Sequence, residues 1–450
     1  MKDLIKRLDY FLHTKYYLMI VTAVVFLCWH LKITDVGFCA LCLFAVITLL
    51  VCSDGTPAIP SVIMFVFVMS KGFNPQVDLQ GQLVLYLVLA ALVIGAYIFF
   101  FIKNRVKITL GRQFWVFLAM FVSFLLSGLF CEGADRAEGV IFILAFGGGA
   151  FLAYFFFVNS VTKPDNSYFA KIFLFVGIIM ILELFVFYVG YEDYSILVIE
   201  KEDLDLGWGI SNNIGAILLL TSAMTFYLAY KRDRYCWLYS GLAYLQYIAI
   251  FFTMSRGSML CAVVAFPFLF AYFLKITSRR RMFLITSLVV LGILAVILAF
   301  EYEIVVGIIE RIKGQWNYSS GRDLLYLEAL DDFTKAPIFG VGIKFSHATG
   351  ALHWYHNTPL QFLASAGIVG ILAYAAYSVN KFYTLIRKGN RVNKFILFAM
   401  LMWTGYTMLD CGSFLISQVL MVVALLALAE KNTGIKPEEN FVSLNRKDLN

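Results

Sequence analysis

Charge is scarce in this chain. Only 14% of its residues are Asp, Glu, Lys or Arg, while 61% are hydrophobic and the mean hydropathy is +0.82. A soluble protein of this length needs far more polar surface than that, so a soluble enzyme is excluded. The alternation of apolar and polar residues that marks a spanning β-barrel is missing too, because the apolar runs are continuous. No cleavable signal peptide is evident, since the basic start leads into an apolar run without a small-residue cleavage site. A disulfide or zinc framework is lacking: Cys28, Cys39, Cys42, Cys236 and Cys261 sit in or beside apolar runs, and the CxxC spacing of Cys39 and Cys42 has no second pair. Walker and Rossmann-like glycine patterns are absent. The net charge of +7 lies in short loops between apolar runs, so it points to membrane topology and not to nucleic acid.

What the chain does have is apolar runs of about 20 residues, the mark of membrane-spanning helices. They fall near 16–31, 36–52, 57–70, 82–102, 114–130, 139–158, 169–190, 210–230, 235–254, 258–274, 282–300, 357–380, 395–409 and 412–430. The expectation is an all-α polytopic integral membrane protein of about 12–14 transmembrane helices. Basic clusters at 2–15, 103–112, 231–234, 275–281 and 381–394 fall on one side, and the acidic loop at 192–205 falls on the other. The positive-inside rule then places both termini in the cytoplasm, with the protein in the cytoplasmic membrane. The chain divides into an N-terminal transmembrane scaffold (1–209), a transmembrane core (210–430) that includes a large outer loop (301–355), and a polar cytoplasmic tail (431–450).

The outer loop is the one long polar excursion. Ile304, Val305, Ile308, Ile309 and Ile312 recur at helical spacing opposite Glu303, Glu310 and Lys313, which predicts an amphipathic surface helix. Ser320 and Asp323 have capping-box spacing before a helix of about 321–333, which ends ahead of Pro337 and the glycines at 340 and 342.

Arg322 falls in the first turn of that helix, where free N–H groups and the helix dipole favour an anion. It reads either as a phosphate-binding guanidinium or as a solvated arginine paired with Asp323 or Asp332. Arg256 stands between two apolar runs at the outer boundary, either functional or snorkelling to the interface. His356 lies where the loop meets a helix, with Asn357 or Thr358 as cap and Pro359 in the first turn. Its imidazole suits proton abstraction near neutral pH. His347, His353 and His356 could alternatively gather zinc, though no cysteine or carboxylate motif completes the set. Gly367 and Gly370 read as small residues that let another helix approach. Glu183 and Asp410 read as proton-relay groups or as hydrated or paired acids near helix ends. Asn212 and Asn213 open a helix on the outer face, as caps or as cavity-lining groups.

These patches together resemble the O-antigen ligase and polymerase family of bacterial membrane glycosyltransferases. His356-Asn357 followed after nine residues by Gly367-Ile368-Val369-Gly370 is similar to that family's His…Gly-x-x-Gly signature. Ser255-Arg256-Gly257 is similar to its Ser-Arg-Gly element, and Ser320-Gly321-Arg322 with Pro337–Gly342 to its large outer loop. The resemblance implies a GT-C-like, metal-independent, inverting glycosyltransferase with no cofactor. Its donor would be an oligosaccharide on undecaprenyl diphosphate and its acceptor a glycan or lipid-linked glycan hydroxyl, both at the outer membrane face. It further implies His356 as general base and Arg256 and Arg322 on the diphosphate, supported by Asn357, Asn213 and Ser255. Membrane lipids, and a chain-length regulator as a further candidate, complete the partners.

Within the family, the reading favours a surface-polysaccharide polymerase over a ligase that transfers to lipid A-core. The tail at 431–450 speaks against a protein-directed enzyme. A polysaccharide or lipid flippase is the non-enzyme alternative. Such transporters usually show broken helices and internal repeats, and no repeat relates the two halves.

Overall fold

The structure is a computed structural model in which residues 2–72, 79–130, 139–140, 142–162, 164–190, 204, 206, 209–300, 302, 306, 321–344, 353–387 and 390–432 are described. Its regular structure is helical throughout. The helices are α1 (Lys2–Leu12), α2 (Lys15–His30), α3 (Thr34–Val51), α4 (Ile59–Gly72), α5 (Leu79–Lys103), α6 (Phe114–Phe130), α7 (Gly149–Ser160) and α8 (Asn166–Val189). They continue with α9 (Ser211–Lys231), α10 (Cys236–Phe252), α11 (Arg256–Ile276), α12 (Arg280–Phe300), α13 (Arg322–Lys335), α14 (Thr358–Arg387), α15 (Arg391–Thr407) and α16 (Ile416–Lys431). The predicted surface helix at 304–313 and the tail beyond 432 lie outside the described residues.

The all-α membrane architecture is as the apolar runs imply. Five of the described helices (α3, α8, α9, α11 and α14) are long and apolar enough to cross a membrane, or six if the bent pair α1–α2 is one span. Other apolar helices are shorter: α6 has 17 residues, about 25 Å at 1.5 Å per residue, against a hydrocarbon core of ~30 Å. One run does not form a single regular helix, because a π-turn at Ile143–Gly148 precedes α7. The basic start is a separate helix, α1, inclined at 66° to α2.

Helix α9 is the axis of the bundle. Within its apolar window 89% of the residues are buried, against 22% for α11, so α9 is enclosed by other helices while α11 faces lipid. It packs against α8, α10, α11, α15 and α16. Its small residues permit this: a Cβ on Gly215 would stand 2.5 Å from Ser258 Oγ. Thr225 meets Gln246 in the core, where the amide donates to the hydroxyl at 3.1 Å, so a buried polar pair is satisfied instead of stranded. A second group joins α14 to α6, α13 and α15, and α16 to α7.

Polar contacts gather the helix termini at two ends. At one end, the Glu430 carboxylate accepts from Tyr154 Oη at 2.6 Å and from the Arg112 N–H at 2.8 Å. There too Asn432 bonds Asn166 and Asn390 at 3.0 and 3.2 Å. The basic loops follow α5, α9, α11 and α14 at this far end. The other end, where α9, α11, α13 and α14 begin, carries the candidate site.

Gly367 and Gly370 do not serve contact with another helix, as their spacing suggests. Gly367 breaks α14, with φ 64° and ψ −157°. The Pro337–Gly342 turn docks into the break, roughly 13 Å along the helix from its start. Val341 N–H donates to Ala364 O at 2.9 Å, Gly342 N–H to Ser365 O at 3.1 Å and Ile368 N–H to Pro337 O at 2.9 Å. The groups freed by the break are thereby satisfied. Phe339 stacks on Phe130 at 4.8 Å and anchors the turn from its other side. A Cβ on Gly340 would collide with the Ser365–Ala366 backbone, and one on Gly367 with that of Ile338 and Gly340. Both glycines also have positive φ, near 75° and 64°, which any L side chain resists.

Gly367→Ala should therefore destabilise the protein by at least about 2 kcal/mol, from backbone strain and displacement of the turn together. The thermal unfolding midpoint of the detergent-solubilised protein reads this out. A midpoint equal to wild type would mean that the docked turn is not held by this close approach.

Candidate functional site

Helix α15 ends at Thr407, and α16 starts at Ile416. The eight-residue connection holds Asp410, a buried residue whose carboxylate accepts four hydrogen bonds. Asn212 Nδ2 donates at 2.9 Å, Tyr406 Oη at 3.1 Å, the Cys411 N–H at 2.8 Å, and His356 Nδ1 at 3.1 Å. Burial opposes ionisation of Asp410. The His356 hydrogen bond and charge, the Cys411 N–H and the charge of Arg322 outweigh it and hold the carboxyl below the usual carboxylate range. An ionised carboxylate only accepts, so in neutral His356 the proton sits on Nδ1 and the Nε2 lone pair is presented away from Asp410. The His356 side chain is 34% exposed, enough to meet a substrate.

His356 is also one of four non-glycine residues with positive φ among those described, at 50°. Such a backbone costs of order 1–3 kcal/mol and persists where its surroundings fix it. Here they do. Asn357 Nδ2 donates to Met408 O at 2.8 Å, Thr358 Oγ1 to Asp410 O at 3.2 Å, and Asn357 Oδ1 caps α14 by accepting from Leu360 N–H at 3.0 Å. The start of α14 is thus stitched to the 408–410 carbonyls, which fixes the imidazole over Asp410.

The arginines arrive from two other helices. Arg322 opens α13, and its Nη1 donates to Leu409 O at 2.7 Å. The expected Ser320–Asp323 capping box is not what starts this helix. Its cap is Gly321 in the left-handed conformation at φ 75°, with no side-chain cap bond, and Ser320 lies outside the described residues. Arg256 opens α11 behind Ser255, near enough to Arg322 for the second charge to act on it. Ser255 is buried and its Oγ donates to Ser258 Oγ at 3.1 Å, so it shapes the start of α11 and does not face the opening. Asn213 lies against Gly209; its neighbour Asn212 makes the Asp410 contact. Gly257 lies in packing distance of Leu409, where a Cβ would stand in ordinary contact at 3.5 Å.

Below Leu409 an apolar groove of about 620 Å³ runs between α11 and α15, lined among others by Leu260, Val264, Phe268, Leu401 and Gly405. The site end therefore joins two cationic side chains, an oriented imidazole and an apolar channel. A separate, enclosed acid lies on α13. Asp332 Oδ2 accepts from Lys344 Nζ at 2.5 Å and from Tyr355 Oη at 2.6 Å, tying α13 to both strands of the chain that frame the 345–352 stretch.

The histidines do not gather as a metal set among the described residues. His353 Nε2 pairs with Glu328 at 3.2 Å, His356 faces Asp410, and His347 lies outside the described residues. Glu183 is fully buried within α8. Asp410 and Asn212 were the residues that sequence reasoning left unassigned to the site; the only signal for Asp410 was an acid in a tight turn between apolar runs.

Residues 241–375 match the family model described as O-antigen ligase. No curated protein matches the chain significantly. The matched stretch contains Arg256, Arg322, His356 and the Gly367 break, whereas Asn212 and Asp410 lie outside it.

For Asp332, burial again opposes ionisation, but hydrogen bonds from Lys344, Tyr355 and Lys335 and the charge of Lys344 hold its carboxyl below the usual range. A depressed folded pKa means that the native state binds fewer protons than the unfolded one. The resulting stability is present above about pH 4 and is lost as pH falls through the folded value. Asp332→Asn should lower stability at neutral pH by roughly 1–3 kcal/mol and flatten the acid side of a plot of stability against pH. An unchanged acid side would show that Asp332 is not an ionised anchor.

Proposed function

We propose that this protein, whose residues 241–375 match a family model described as O-antigen ligase, is a membrane glycosyltransferase that moves a glycan from a polyprenyl diphosphate to a sugar hydroxyl. The observation that carries the reading is His356 held by Asp410 at 3.1 Å on the same end of the bundle as Arg256 and Arg322. His356 Nε2 takes the proton from the acceptor hydroxyl as its oxygen attacks the anomeric carbon. The bond from that carbon to the diphosphate oxygen breaks with its electron pair going to the leaving group. The two guanidinium groups stabilise the charge that develops there. Products are the new glycosidic bond, the free lipid diphosphate and a proton released from His356. Attack opposite the leaving group inverts the anomeric centre. The residues that do this are side chains of the chain itself, so the mechanism calls on no metal and no cofactor.

The groove below Leu409 suits the polyprenyl tail, because its upper end adjoins the backbone that Arg322 grips. Basic loops at the far end of the bundle support a cytoplasmic location for that end and both termini, which puts His356 at the outer face of the cytoplasmic membrane. The 210–430 stretch supplies every residue of this arrangement. A polymerase is the form we favour, with a ligase acting on lipid A-core or another surface acceptor as the alternative. The break at Gly367 is of the kind transporters use, but its freed groups bond the Pro337–Gly342 turn and line no passage.

Purified protein given a polyprenyl-diphosphate oligosaccharide should produce a ladder of lengthening glycans from that donor alone. Transfer only on addition of a second acceptor would identify a ligase instead. His356→Ala should reduce transfer roughly 10²–10⁴-fold and Arg322→Ala roughly 10²–10³-fold. A His356→Ala protein that transfers at the normal rate would exclude the base, and uptake into vesicles without covalent product would favour the flippase reading.

A further inference from the structure

At the far end of the bundle four metal-ligand side chains converge from two segments of chain. His13 sits in the elbow between α1 and α2, Asp9 one turn before it, Cys52 at the end of α3, and Asp54 in the connection to α4. Donor atoms of Asp9, His13 and Cys52 all lie within 4.8 Å of one another. His13 Nδ1 donates to Asp9 O at 2.8 Å. A carbonyl only accepts, so this bond fixes the tautomer and leaves the Nε2 lone pair available, the arrangement found where histidine binds metal. Nε2 faces Asp54 Oδ2 at 3.7 Å. The other Asp54 oxygen is held by Thr162 N–H at 2.7 Å and Thr162 Oγ1 at 2.9 Å, so this carboxylate is oriented by the α7–α8 connection. Asp9 Oδ1 is buried without a hydrogen-bond donor. Cys52 is fully buried and unpaired with another cysteine.

We propose that Asp9, His13 and Cys52, completed by Asp54, bind one divalent transition-metal ion of the zinc class. Tetrahedral zinc stands about 2.0–2.3 Å from such donors, which puts them roughly 3.5 Å apart, so donors within 4.8 Å of one another need to close by about 1.3 Å at most. Mixed sulfur, nitrogen and oxygen donors select zinc-like ions over calcium or magnesium. The ion would release the thiol proton to solvent and place a full positive charge against Asp9, whose Oδ1 otherwise meets His13 Nδ1 at 3.4 Å. It would clip α1 to the end of α3 and to the α7–α8 connection. Its role is structural, since the site lies at the opposite end of the helices from His356. On the topology proposed above it faces the cytoplasm, where thiols stay reduced.

Full-length protein, purified in detergent under reducing conditions and stripped with chelator, tests this by titration with Co²⁺. One equivalent should bind with a thiolate-to-cobalt charge-transfer band and tetrahedral d–d absorption, both displaced by Zn²⁺. Cys52→Ser should abolish the band, Cys42→Ser should retain it, and Asp54→Asn should weaken binding roughly 10-fold or more. Because Cys52→Ser could unfold the chain, Asp9→Asn provides a second reading, with loss of affinity expected in monodisperse protein. Absence of the band in wild type, or its persistence in Cys52→Ser, would overturn the proposal, as would unchanged affinity in both Asp9→Asn and Asp54→Asn.

Discussion

One buried carboxylate organises the site end of this molecule. Asp410 is taken out of water, which works against its charge, and the structure answers with donors from four directions: Asn212, Tyr406, the Cys411 N–H and His356. Besides the adjoining Cys411 amide, the donors come from three helices, so satisfying the carboxylate brings α9, α15 and the start of α14 into register. A buried charge is tolerated only with such partners, and removing one would leave the rest unpaired. The same requirement fixes the imidazole, because the one ring nitrogen that meets a carboxylate must carry the proton. Geometry at His356 is therefore a consequence of solvating Asp410.

The scaffold uses backbone in the same way. A helix that spans a membrane normally satisfies its own amides. Helix α14 does not, because Gly367 breaks it, and the Pro337–Gly342 turn supplies the missing partners. This places part of the large polar loop inside the bundle. Arg322 and His356 flank that turn in sequence, so docking it anchors the chain between them to the bundle. Asp332 secures the other flank through Lys344 and Tyr355.

Much of this was legible in the sequence, for physical reasons. Continuous apolar runs announce helices in lipid, since the other structure that satisfies the backbone there, a closed β-barrel, alternates apolar and polar residues. Arg256, Arg322 and His356 stood out because charge and imidazole are costly beside apolar runs and are kept where they do something. Their partners were not legible. Asp410 lies 54 residues from His356 and 198 from Asn212, and no periodicity links positions so far apart. Gly367 and Gly370 have the spacing of a helix-packing pair, and only the long-range pairing with 337–342 reveals a break. Asn213 drew attention while Asn212 carried the contact, since at the start of a helix neighbouring residues point in directions that composition does not encode. The Ser320 cap failed similarly: Gly321, whose φ is 75°, takes that place because a left-handed backbone turns the chain into α13.

The central claim is that Asp410 and His356 act as one unit. A double-mutant cycle of glycan transfer tests it, with His356→Ala, Asp410→Asn and the pair measured on folded protein with the same polyprenyl-diphosphate donor. If the carboxylate acts through the imidazole, the double variant should be no slower than His356→Ala alone, because nothing remains for Asp410 to orient. Losses that multiply in the double variant would contradict the account and show that the two residues contribute independently.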